Sequence, residues 1–309
     1  MKNSALLRII IWTVVLVILL AVTGLAIAGF FGFNSIFNFM SINNFSFGSS
    51  YQYKDAGSYL TGDFSTDGSS IKKIDLDWIA GSVDISVGDG DEIVVSESGY
   101  GDEDQRLRYR IKDGRIDIKF RKSGINLIST LSKELHIKLP AGTVLEEFDV
   151  ELVSSDFDFN ADIAVDEINI DAVSGDINIS EVKSDEIEIE NVSGDITAFN
   201  ITANELSADN VSGDIDIRGS VEKVDFNSVS GRLTAEFSEA PKEIELETVS
   251  GGGKITMPKD KGVDVNCDSV SGRVTAWGEK CPKDGNYKLG GGYTKLKVNT
   301  VSGDVVIDE

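Results

Sequence analysis

Chemistry-bearing residues are scarce in this chain. Its 309 residues include one histidine and two cysteines, and 29 basic residues stand against 52 acidic ones. His136 alternates outward from Leu135, Ile137 and Leu139, so no histidine-based triad or metal cluster assembles around it. The net charge of −23 argues against nucleic acid or an anionic membrane surface as partner, since both would repel the chain. No helical period appears beyond the N-terminal region. Gly251-Gly252-Gly253-Lys254 hints at a phosphate loop, but Ile255 stands where Ser or Thr is required and Thr248 where the first Gly should be. Leu139-Pro140-Ala141-Gly142-Thr143 scrambles a wall-sorting motif and lies mid-chain. With no active site in view, the expectation is a protein that is not an enzyme and takes no cofactor.

What the chain does contain is one phrase written many times. Val-Ser-Gly-Asp appears at Val173-Ser174-Gly175-Asp176, Val192-Ser193-Gly194-Asp195, Val211-Ser212-Gly213-Asp214 and Val301-Ser302-Gly303-Asp304. Variants occur at Val229-Ser230-Gly231-Arg232, Val249-Ser250-Gly251-Gly252 and Val270-Ser271-Gly272-Arg273, with a degenerate copy at Val153-Ser154-Ser155-Asp156. Successive valines are 20, 19, 19, 18, 20, 21 and 31 residues apart, a period that marks stacked structural units.

Each valine carries an apolar code around it. Five residues before it stand Phe148, Ile168, Ile187, Leu206, Val224, Ile244, Val265 and Leu296; three before, Val150, Ile170, Ile189, Ala208, Phe226, Leu246, Cys267 and Val298. Four after it stand Phe157, Ile177, Ile196, Ile215, Leu233, Gly253, Val274 and Val305, with a further inward position two residues on. A spacing of two is that of a strand with one buried face, and the parity slips across the valine. Two short strands therefore meet at a corner made by the Ser-Gly step, where glycine tolerates a backbone that a Cβ would penalise. One such unit cannot bury its own apolar row, whereas stacked units bury a continuous column. The expectation is an all-β, right-handed parallel β-helix (β-solenoid) with about 19–20 residues per coil. A β-sandwich does not explain the same residue types at the same offsets. Small polar residues just before the valine, such as Asn191 and Asn210, suggest a hydrogen-bonded ladder along the corner. Their Asn-x-Ser sequences belong to packing, not to glycosylation.

Residues 9 to 33 form an uncharged apolar run preceded by Lys2 and Arg8. That length spans a bilayer, and the basic flank marks the cytoplasmic side. The expected layout is a cytoplasmic N-terminus and transmembrane anchor over 1–33 and a juxtamembrane linker over 34–70. N-terminal strands capping the solenoid follow over 71–145, then the solenoid itself over 146–309 with an insertion at 277–293. The competing account of the first segment is a cleaved signal peptide, because Ala26-Ile27-Ala28 resembles a cleavage site. Asp113-Gly114 between two alternating runs is a hairpin signal.

Candidate sites are few. Asp176, Asp195 and Asp214 recur at one offset and should lie about 5 Å apart, a spacing like charges resist. Calcium could bridge them, yet Arg232, Gly252 and Arg273 occupy the next copies and the calcium-binding nonapeptide repeat is absent; the alternative is that the Asp side chain caps the turn. Cys267 and Cys281 lie on successive coils and are candidates for a disulfide outside the cell, with a buried thiol at Cys267 as the other reading. Acidic residues at outward positions, as in Glu186-Ile187-Glu188-Ile189-Glu190, read as a solvated face. The corner residues Val173, Gly175, Val192, Gly194, Val211, Gly213, Val229, Gly231, Val249, Gly251, Val270, Gly272, Val301 and Gly303 are structural.

The repeated Val-Ser-Gly-Asp-Ile phrase, with Leu139-Pro140-Ala141-Gly142-Thr143 leading into the first coil, resembles a bacterial domain-of-unknown-function family labelled "putative adhesin" or β-strand repeat-containing protein. The resemblance covers about residues 70 to 309. It implies a right-handed β-helix on an exported or membrane-anchored protein, and some relatives, the LiaG-type proteins, accompany cell-envelope stress systems. It brings no catalytic residues with it. The expected function is a membrane-anchored, extracytoplasmic interaction module of the cell envelope, held by residues 9–33 and meeting a protein or cell-wall partner. The alternative is a carbohydrate-active β-helix enzyme of the polysaccharide-lyase kind, or a calcium-dependent repeat protein.

Overall fold

A computed structural model describes residues 51–125, 131–282 and 284–309. The expected membrane anchor at 9–33, the alternative cleavage site at Ala26-Ile27-Ala28 and the linker before residue 51 lie outside the described residues. Among the described residues no helix is long and apolar enough to cross a membrane.

The chain divides into two units, one of residues 1–54 with 123–130 and one of residues 55–122 with 131–309. In the first, the Tyr51 N–H donates to the Ile125 carbonyl at 2.9 Å and the Gly124 N–H to the Tyr51 carbonyl at 2.6 Å. The second unit is built of strands, with three single-turn 3₁₀ segments among its described residues.

In that second unit every alternating apolar pair of the repeat becomes a strand, and like offsets stack in parallel register. Before the corner the neighbours run Phe148, Ile168, Ile187, Leu206, Val224 and Ile244; after it they run Phe157, Ile177, Ile196, Ile215, Leu233 and Gly253. The residues five before each valine are all buried. The two ladders face each other across a thin core, where the Phe148 and Phe159 rings meet edge to face with centroids 5.4 Å apart. Burying each such side chain contributes about 1.5–3 kcal/mol, so the column holds the stack together.

Two arrangements differ from a simple sequential stack. The Val301 coil does not lie beyond the Val270 coil but between it and the Val249 coil. Leu296 pairs with both Ile244 and Val265, and Val305 with both Gly253 and Val274. Because every coil presents the same apolar offsets, the pattern specifies a coil without specifying its neighbour. The 277–293 segment supplies Glu279–Lys280 antiparallel to Val274–Ala276 and Asp284–Leu289 antiparallel to Val263–Ser269, closing the last coil with strands that point the other way. A sheet edge left open would template association, and this hairpin-like return covers it. At the other end, Lys73–Gly88 is a full coil, with Gly81 beside Ser155, and Arg115–Lys119 with Lys133–Pro140 forms another outside it. Antiparallel strands Arg108–Lys112 and Glu92–Ser98 then close that edge. The Asp113-Gly114 turn joins Arg108–Lys112 to Arg115–Lys119 with both residues at positive φ (52° and 78°), the type I′ geometry the dipeptide favours.

The corner is where coils come closest. Gly175, Gly194, Gly213 and Gly231 have φ between 131° and 148°, and a Cβ on any of them would overlap a backbone carbonyl oxygen of the preceding coil. The backbone hydrogen-bond ladder nevertheless continues through the turn: Gly194 N–H donates to the Ser212 carbonyl at 3.1 Å and Ile196 N–H to the Asp214 carbonyl at 2.9 Å. Replacing Gly213 by alanine, which would clash with the Gly194 carbonyl, is expected to lower unfolding stability by roughly 3 kcal/mol. Gly278→Ala, at φ 81° with open space around it, should cost only about 1 kcal/mol. Equal losses in denaturant titrations of the two variants would contradict the close-approach account.

Candidate functional site

Each strand before a corner turns three side chains outward, at six, four and two residues before the valine. On the three central coils these are Glu167, Asn169 and Asp171, then Glu186, Glu188 and Glu190, then Glu205, Ser207 and Asp209. Parallel register sets Glu190 directly between Asp171 and Asp209, and Glu186 between Glu167 and Glu205. Carboxylates thus fill seven of these nine positions and no cation fills any, at about 4.8 Å from strand to strand and about 6.8 Å along a strand.

Elsewhere on the same face several acids are matched, although Glu151 keeps a buried carboxylate oxygen without a hydrogen-bond partner. Arg115 lies 3.1 Å from Asp75 and 3.0 Å from Asp149, and Lys119 lies 2.7 Å from both Asp75 and Asp77. Towards the other end, Lys297 pairs with Glu245, Lys223 reaches Glu205 at 3.6 Å, and the Asn227 amide donates to Asp209 at 2.8 Å. Between these ends no hydrogen bond or ion pair from the described residues engages the carboxylates of Asp171, Glu186, Glu188 or Glu190. Glu190 is also only 9% exposed, and Asp209 beside it 6%. Burial, reinforced by Asp171, Asp209 and Glu188, pushes the Glu190 carboxyl up to about 8. Burial likewise raises Glu151 and Asp225 to about 7, with neighbouring acids adding to it.

The residues singled out in the sequence fall in different places. Asp176, Asp195 and Asp214 form a ladder at the exposed corner: each Oδ1 accepts the backbone N–H of the next coil, from Asp195 at 2.9 Å, Asp214 at 2.8 Å and Arg232 at 2.8 Å. These bonds run from coil to coil instead of closing each residue's own turn, and among the described residues no group of three or more His, Cys, Asp or Glu has the geometry to hold a metal ion. Asp304 restarts the ladder, accepting from the Arg273 N–H at 3.0 Å and so running against the sequence order. The Cys267–Cys281 bridge is not made; both are buried thiols. Cys267 belongs to Val263–Ser269, before the corner, whereas the Cys281 N–H bonds the Val274 carbonyl on the strand after it. His136 sits 3.6 Å from Asp84 on a half-exposed face.

The corner ladder of small polar residues is realised in part. Asn191 and Asn210 are buried and donate to the Gly175 and Gly194 carbonyls at 3.1 and 3.0 Å, which leaves neither available as a glycosylation acceptor. At the same offset Ser228 and Thr248 have buried hydroxyls without a hydrogen-bond partner. Sequence reasoning missed Lys133 altogether. This fully buried ammonium is ion-paired to Glu97 at 2.5 Å, donates to the Gln105 carbonyl at 2.9 Å and lies 4.6 Å from the Trp78 ring centre. Burial pushes it down to about 8. It plugs the outermost coil's corner and is closed to solvent.

The raised carboxyls fix a pH dependence. Each binds its proton more tightly in the folded chain than in the unfolded one, so the folded state holds more protons between about pH 4 and pH 8. Stability should therefore rise as pH falls from 8 to 5.5. Lys133 has the opposite sign, but its window lies above pH 8. The thermal midpoint is expected to be higher at pH 5.5 than at pH 8, with the difference reduced in Glu190→Gln. A midpoint that falls steadily over that interval would contradict the unpaired-carboxylate description.

The arrangement can bind and display, and its chemistry is electrostatic. No curated protein matches the chain. Among solved structures, it is similar to a "putative adhesin" from Parabacteroides distasonis, at 14% identity over 81% of this chain and 98% of that one, with a TM-score of 0.50. A "putative adhesin" from Bacteroides fragilis is 14% identical over 79% of this chain and 95% of that one, with a TM-score of 0.44. A "putative cell adhesion protein" from Clostridium sporogenes is 15% identical over 81% and 99%, with a TM-score of 0.28. At such identities the likeness concerns the fold alone, and it rests on the first of the three. The model of the Toastrack DUF4097 family matches residues 71–308, the whole stack of coils from its first inward isoleucine, and the chain belongs to that family.

Proposed function

We propose that the chain is a membrane-tethered interaction module of the cell envelope, working by display and binding without catalysis. In this reading residues 9–33 anchor the chain as a single pass, the N-terminus is cytoplasmic, and a right-handed solenoid stands outside the membrane. The observation that carries it is the patch of sheet on the Val173, Val192 and Val211 coils, where seven carboxylates are fixed on a rigid grid and those of Asp171, Glu186, Glu188 and Glu190 meet no cation. Rows of like charge oppose folding, so a chain that retains them has a use for the surface they make. The description of similar structures as adhesins and the resemblance to LiaG-type proteins are consistent with a role at the envelope, including its stress responses. An acid and a base converging in a cleft would favour a carbohydrate-active enzyme. The open hollow of about 690 Å³ lined by Lys72, Asp91, Glu92 and Pro140 has Asp67 at its rim already occupied in capping Ser69.

Proteinase K added to intact cells should digest the repeat region while leaving a membrane-protected N-terminal fragment. Full protection until the membrane is permeabilised would place the solenoid on the other side and overturn the reading.

A further inference from the structure

The central acidic patch has a geometry that suits some cations better than others. Its carboxylates do not converge on a point, as a metal site requires; they are spread on a grid of about 4.8 by 6.8 Å. The longer repeat runs along the strands, through Glu186, Glu188 and Glu190. It equals the distance between alternate side chains of an extended polypeptide, which project from one face every second residue. A chain laid along a strand with Lys or Arg at alternate positions would meet these carboxylates one for one.

Glu190 supplies the second, independent observation. It is nine-tenths buried, is met by no hydrogen bond or ion pair from the described residues, and faces Asp171, Asp209 and Glu188 on the middle coil of the patch. Glu190 avoids the cost of an uncompensated buried charge by holding its proton, and a cation delivered from outside would let the carboxylate form instead. The post-corner face offers no such patch. Its outward positions on the same stretch include Asn178, Thr197, Ser180 and Phe199, and its acids Asp216 and Glu236 lie 3.3 and 3.9 Å from Arg218.

We propose that the outward face of the Val173, Val192 and Val211 coils is a docking strip for an extended, lysine- or arginine-rich polypeptide segment, with Glu190 on its middle coil at the corner end. This rests on the reading of the chain as an interaction module and adds the chemical class of the partner. Recognition by carboxylates at fixed spacing favours alternating cations over a compact ion, and the attraction weakens as salt screens it.

The test is titration of the full chain with a deca-lysine peptide at about 50 mM salt, compared with two charge-matched variants. Asp171→Asn/Glu190→Gln/Asp209→Asn removes the strip's row nearest the corner. Asp158→Asn/Asp216→Asn/Glu236→Gln removes three charges from the other face. The strip variant should bind at least tenfold more weakly and the control variant less than twofold. Equal weakening, or no binding by the unaltered chain, would overturn the proposal, as would calcium chloride alone binding at the strip and excluding the peptide. The strip variant should also melt no lower than the unaltered chain, because repulsion has been removed; were it unfolded, Glu190→Gln alone should still weaken binding about threefold. Failure of this titration leaves the protease result on intact cells untouched, and the reverse also holds, so the two readings fail separately.

Discussion

Everything in the stack depends on how closely one corner approaches the next. At Gly194 and Gly213 the backbone passes so near the carbonyl of the preceding coil that no side chain fits. That closeness is what lets the ladder of backbone hydrogen bonds run unbroken through a turn, where an ordinary loop would lose it to solvent. Side chains complete the turn. Asn191 and Asn210 donate to glycine carbonyls, and aspartates such as Asp195 accept the N–H of the following coil. On these coils the corner therefore satisfies most of its own polar groups and holds the coils at strand spacing on both sides.

That spacing has a consequence for the surface. Once register is fixed inside, the outward residues are fixed as well, in rows that cannot spread apart. Compensated rows, such as those around Arg115 and Lys119, add ion pairs to the stack. On the central coils, where none of the nine outward positions before the corner carries a lysine or arginine, register forces Asp171, Glu190 and Asp209 side by side. Burial and mutual repulsion then lift the Glu190 carboxyl to about 8. The patch is a cost to the fold that the inward Ile168, Ile187 and Leu206 column offsets.

Much of the fold was legible in the residues themselves. The inward offsets, the corner glycines and the Asp113-Gly114 hairpin follow from periodicity and backbone sterics, and the structure places them accordingly. Coil order was not legible: Leu296 carries the same inward code as Val265, and nothing local distinguishes being next to Ile244 from being next to Val265. Nor was the role of 277–293, since an antiparallel edge strand of six residues looks like a loop when its partner, Val263–Ser269, belongs to the preceding coil. Glu190 was visible as one more outward acid. Its burial arises from neighbours some 20 residues away in sequence, although acids two residues before the valine at Glu151, Asp171, Glu190 and Asp209 were a signal that counting could have found.

Register, not sequence order, decides which coils touch. Paired cysteines test this most directly, in a background with Cys267 and Cys281 replaced by alanine. Glu245 and Lys297 are register neighbours, as are Lys297 and Asn266, so Glu245 and Asn266 lie two strands apart at about 9.6 Å. Glu245→Cys with Lys297→Cys should form a disulfide on mild oxidation, while Glu245→Cys with Asn266→Cys should not, being beyond bridging range. A bridge in the second pair and none in the first would mean that the coils stack in chain order, which contradicts the placement of the Val301 coil between its two neighbours.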